Sequence, residues 1–108
     1  MEKFEKLAMQ LESIGEVLDI PEVHKGVERI TKEEPQDDQR AAIVFKMIGV
    51  AMRKKPAAMK FLAALEKDVD PEKLEEMDET ELIPALMSAF SHSVVPFFAQ
   101  KKRQEEKP

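Results

Sequence analysis

The stretch Arg40-Ala41-Ala42-Ile43-Val44-Phe45-Lys46-Met47-Ile48-Gly49-Val50-Ala51-Met52-Arg53-Lys54 decides the fold class. Wound at 3.6 residues per turn, its apolar side chains cover most of the helix circumference, which predicts burial on several sides. This segment is therefore expected to be the central element of a helical domain, or the core of an oligomer. Lys46 interrupts it, and it falls short of the ~20 apolar residues that a membrane-spanning helix needs.

Toward the amino terminus, Thr31-Lys32-Glu33-Glu34-Pro35-Gln36-Asp37-Asp38 is polar and contains a proline, so it reads as a flexible loop. Before it, Val23, Val27 and Ile30 mark a short helix weakened in its middle by Gly26. The pair Asp19 and Glu22 has capping-box spacing at the start of that helix, beside Pro21. From Phe4 to Leu18, the residues Phe4, Leu7, Ala8, Leu11, Ile14, Val17 and Leu18 recur at three- and four-residue steps, giving a one-faced amphipathic helix.

Toward the carboxy terminus, Lys55-Pro56 is a bend. Pro56 opens a helix to Lys67 with Ala58, Phe61, Leu62 and Leu65 on one face. Asp70-Pro71 starts another, running through Glu76, with Leu74 and Met77 inward. Asp78 and Glu81 repeat the capping-box spacing before Leu82, Ile83, Leu86, Met87 and Phe90. Pro84 removes a helical hydrogen bond, so that helix either starts at Thr80 or is kinked. Val94-Val95-Pro96-Phe97-Phe98 forms a last apolar cluster with Ser93 as its cap. The expected fold is all-α: a single compact domain of five to six short and medium helices around an apolar central helix. It spans residues 1–103 and is followed by a disordered, charged tail over 104–108.

Composition supports this reading. With 108 residues, 43% of them hydrophobic, the chain has material for one modest core, and only 3 glycines interrupt a sequence rich in helix formers. It has no cysteine, which excludes disulfides, thiolate metal sites and a cysteine nucleophile and suits a reducing cytoplasm. The mixed charge of Met1-Glu2-Lys3-Phe4-Glu5-Lys6 does not resemble a secretory signal. A soluble cytoplasmic protein is expected. A net charge of −5 argues against general affinity for nucleic acid.

Candidate chemistry is sparse. Asp68, Asp70, Glu72, Glu76 and Glu79 have the side-chain spacing of a calcium-binding loop, but Lys73 stands where the loop needs glycine and Pro71 favours a helical start. Helix capping and a solvated acidic face explain them better. His92 lies between Ser91 and Ser93, yet sequence neighbours do not face one another on a helix. With Gly15, Gly26 and Gly49 isolated, no loop can supply an oxyanion hole or cradle a phosphate. His24 and His92 are expected to be surface or helix-end residues, with no catalytic, metal or cofactor site. Arg53-Lys54-Lys55 and Lys101-Lys102-Arg103 lie at helix carboxy-termini, where cations offset the carbonyl dipole. They could also contact phosphate, or pair with the acidic Glu66 to Glu81 stretch of another copy. The seven methionines suit irregular or variable apolar surfaces. Phe97 and Phe98 cannot both face one core from a helix. Either one joins Val94 or Val95 in an exposed patch that binds a partner, or the first helix buries them. Val94, Val95, Phe97, Phe98, Arg53, Lys54 and Lys55 are the candidate partner-binding residues.

From Ile43 to Phe98, the order of features resembles the tail assembly chaperones of long-tailed phages and prophages of Gram-positive hosts. That order is an apolar helix, a Lys-Lys-Pro break, an Ala-Met-Lys-Phe-Leu-Ala-Ala-Leu helix, Asp70-Pro71-Glu72-Lys73-Leu74-Glu75-Glu76-Met77, an apolar helix and Phe97-Phe98. The resemblance implies a small, non-enzymatic helical protein of the host cytoplasm, absent from the finished virion. Such proteins coat the tape measure protein, self-associate around it and help recruit tail tube protein. In many such phages translational frameshifting yields a longer form. The alternative from the residues alone is a small regulatory or nucleic-acid-binding protein that uses the basic helix ends.

Overall fold

A computed structural model describes residues 2–96. Their fold is an all-α single domain, with six helices among the described residues and no strand. The helices are α1 (Lys3–Leu18), α2 (Pro21–Glu33), α3 (Asp37–Lys54), α4 (Pro56–Lys67), α5 (Pro71–Leu74) and α6 (Glu79–Ala89), which continues into a π turn at Phe90–Val94. Its shortest dimension is 20 Å, room for two layers of helices.

Two layers leave no helix enclosed on all sides, and this corrects the expected role of α3. That helix buries one face, through Val44, Met47, Ile48 and Ala51, while Phe45 is 52% and Met52 42% exposed. The hub is α4, which packs broadly against α6, α1, α3 and α5. Its alanines explain why. Ala58, Ala63 and Ala64 are buried beside Met59 and Leu62, and their small side chains let neighbouring helices approach from several directions. Counting apolar residues around a helix favours α3. Close approach favours α4.

Joints between helices are shorter than the sequence suggests. α2 runs to Glu33, so only Glu34, Pro35 and Gln36 separate it from α3, instead of a loop from Thr31 to Asp38. Glu34 takes the left-handed conformation (φ 45°) that ends a helix, and Pro35 prevents its resumption. At the end of α4, Asp68 is also left-handed (φ 56°). The Val69 amide donates to the Ala64 carbonyl at 3.0 Å, and the Asp68 amide to that of Leu65 at 3.1 Å. This is a Schellman closure, with Val69 packed on the core as its apolar contact.

None of the expected capping boxes forms. Asp19 ends α1, its amide donating to the Gly15 carbonyl, and Ile20 stands at the start of α2. Asp70 and Asp78 do occupy the positions that begin α5 and α6, but neither side chain bonds a first-turn amide. α5 ends at Leu74, short of the expected Glu76. α6 begins at Glu79 and passes through Pro84. Thr80 and Pro84 are both exposed, so solvent reaches the carbonyl that proline leaves without a donor. Ser93 is no cap either, since it is buried inside the π turn. There the Val95 amide reaches back five residues to the Phe90 carbonyl. Just beyond stands Pro96, whose ring would press on the carbonyl one α turn back, and the wider turn eases that conflict.

Candidate partner-binding site

Two features of the surface stand out. The first is the amino-terminal half of α1. Its apolar stripe is continuous in sequence, but only Ser13, Ile14 and Val17 are buried, while Phe4 (83%), Leu7 (48%) and Leu11 (49%) stay exposed. They repeat at i, i+3 and i+7 and so share one face.

The second is a groove of about 870 Å³ between α2 and α3. Gly26 creates it by letting α2 close on α3. A Cβ there would collide with the sulfur of Met47 and lie 2.7 Å from its Cγ. Ile43, Met47 and Val50 give the groove an aliphatic floor, and a Cβ added at Gly49 would meet nothing within 4 Å. Lys25, Arg29, Lys46 and Arg53 stand around it, in a chain whose net charge is −5.

One end of the groove is closed by Glu22 in the first turn of α2 and Lys54 in the last turn of α3, with Nζ 3.0 Å from the carboxylate. Both side chains are about half exposed. The Lys54 hydrogen bond, aided by the Glu22 backbone amide and the charges of Lys54 and Arg53, holds the Glu22 carboxyl below the usual glutamate range. A carboxyl whose pKa is lower folded than unfolded favours folding above its unfolded value. That contribution is lost as pH falls through the folded value. A ¹³C NMR titration should therefore find Glu22 losing its charge at lower pH than exposed glutamates, and Lys54→Ala should bring it back toward them. An unchanged midpoint in the variant would remove Lys54 as the cause.

The residues expected to bind a partner are dispersed. Val94 is fully buried in the core and cannot present a surface, which corrects its assignment; Val95 is partly buried against the same core. The π turn rotates both inward, a geometry that regular helical spacing does not reveal. Arg53 borders the groove, Lys54 holds Glu22, and Lys55 forms the exposed joint between α3 and α4. Phe97, Phe98 and the Lys101-Lys102-Arg103 triplet lie outside the described residues. The groove itself is not legible from helical periodicity, and Gly26 opposite an apolar helix is its one signal in the sequence.

The remaining candidates take structural positions. Asp70 to Leu74 is a helical turn, as Pro71 dictates, and among the described residues no three His, Asp or Glu side chains converge as metal ligands. His24 and His92 are both exposed. Nδ1 of His92 lies 3.0 Å from Oε1 of Glu66, tying the π turn to the end of α4. No helix among the described residues is long and apolar enough to cross a membrane. The chain matches no protein-family model, no curated protein and no solved structure.

Proposed function

We propose that this chain is a non-enzymatic assembly chaperone that holds a helical partner protein through its exposed apolar surfaces. The observation that carries the reading is the uncovered stripe of Phe4, Leu7 and Leu11 on α1, with Phe45 and Met52 exposed on α3. Large apolar side chains gathered on one face mark partner sites more often than scattered ones do. The Ile43 to Phe98 resemblance supplies the partner: the tape measure protein of a phage tail, with tail tube protein recruited next and self-association along the coated partner. In this reading the protein works in the cytoplasm of the bacterial host and leaves before the virion is complete.

Co-expression with a phage tape measure protein tests the reading. The expected result is a rise in the soluble fraction of that partner and its co-purification with this chain. Phe4→Ser combined with Leu11→Ser should reduce both, without lowering the chain's own melting temperature, because both side chains are exposed. An insoluble partner with and without this chain would overturn the proposal.

A further inference from the structure

We propose that the groove between α2 and α3 is a docking site for one acidic amphipathic α-helix of a partner protein. The inference rests on reading this chain as a partner-binding domain, but not on who the partner is.

The shape of the α3 face argues for a helix. Along it run three series spaced seven residues apart: Gln39, Lys46 and Arg53; Ala42 and Gly49; Ile43 and Val50. Seven residues are nearly two helical turns, so each series is a rail parallel to the α3 axis, and a second helix seats on such rails with matching periodicity. The rail from Gln39 to Arg53 is about 21 Å long, four turns of a partner helix. Ala42 and Gly49 leave room for close approach. α2 supplies the facing wall at the same periodicity, with Glu22, then Lys25 and Gly26, then Arg29 on successive turns.

Charge selects the sign of that helix. Lys25 and Lys46 make no ion pair among the described residues, and Arg53 acts on Glu22 only through its field. The one acidic residue at the groove among the described residues, Glu22, is already matched by Lys54. A partner helix with aliphatic residues every three to four positions would cover Ile43 and Val50 above the buried Met47, and glutamates flanking that stripe would meet Lys25 on one wall and Lys46 and Arg53 on the other. Among the described residues no aromatic side chain lines the groove to stack a base, so its floor fits aliphatic side chains better than a nucleic acid strand.

The test uses the full chain and a fluorescein-labelled peptide of about 18 residues, five helical turns, with Leu on one stripe and Glu or Gln elsewhere. A twin carries Lys for every Glu, and a third peptide has the acidic composition in scrambled order. Anisotropy titrations should show saturable binding of the acidic helix, weakened by salt, and at least about tenfold weaker binding of the other two. Lys46→Glu with Arg53→Glu, and separately Gly49→Trp, should each weaken the acidic helix by at least about tenfold. Lys67→Glu, which reverses an exposed charge on α4 outside the groove, should leave it unchanged. All these side chains are exposed or open to solvent, and thermal melts verify folding.

No saturable binding below about 1 mM overturns the proposal, as does equal binding of the basic twin. A short DNA or RNA strand held by the groove cations would reassign the site to nucleic acid. Light scattering in which self-association disappears with the groove variants would reassign it to a second copy. If the tape measure protein is solubilised but the acidic helix does not bind, the groove assignment falls and the chaperone reading stands. If the acidic helix binds but the tape measure protein stays insoluble, the chaperone reading falls and the groove stands.

Discussion

Phe90→Ala is expected to lower the unfolding free energy by about 3–5 kcal/mol, read as a fall in the urea midpoint at unchanged slope. Phe90 leads the largest fully buried side chains and has no measurable exposure. It stands where α6 passes into the π turn. α6 packs on the hub helix α4, and the turn packs on α1, so a cavity at this junction would loosen both contacts. The loss is a large share of the roughly 5–15 kcal/mol that keeps such a domain folded. Phe90→Leu retains most of the volume and should cost far less. A change below about 1 kcal/mol for the alanine variant would mean that the neighbours collapse into the space.

The glycines supply the second large effect, and it changes sign along the chain. A glycine inside a helix normally costs about 0.5–1 kcal/mol relative to alanine, so Gly15→Ala, where a Cβ meets nothing within 4 Å, should stabilise by that amount. Gly26 is different. Its added Cβ would overlap the Met47 thioether, and Met47 is only 3% exposed, with no solvent space to swing into. Gly26→Leu forces α2 away from α3 and is expected to destabilise by about 1–3 kcal/mol, despite the better helix propensity of leucine. Urea denaturation of the two variants side by side checks the reversal. A stabilising Gly26→Leu would show that the two helices are not closely packed there. Because Gly26 also forms the groove, this substitution should alter acidic-helix binding as well.

Local signals read well in this sequence. Pro56–Lys67 is one helix as its proline start and apolar face predict, and Phe4 to Leu18 lies within α1. What periodicity does not tell is which partner covers an apolar face. The stripe of α1 is one pattern from Phe4 to Leu18, yet only Ser13, Ile14 and Val17, in its later turns, are buried. The surplus of apolar residues on α3 likewise predicts enclosure, and instead two layers of helices leave Phe45 and Met52 outside. Loop length is overestimated because Thr31, Lys32 and Glu33 are polar, and a polar run is also what an exposed last helical turn contains. The clearest miss is Val94. Pro96 and Ser93 suggest a fresh start after α6, whereas the chain stays helical by widening a single turn.

That widened turn also bears on how the gene tolerates change in length. A π turn holds about one residue more than the α turn it replaces, so it absorbs an extra codon without rotating the chain downstream of it. Removing one residue between Phe90 and Val94 should restore an ordinary α-helix and keep both side chains facing the same core, with Pro96 newly strained against the carbonyl behind it. Lineages of this protein would then be expected to differ by one residue at this position more readily than anywhere within α4, where a single deletion would turn Met59 and Leu62 out of the interior.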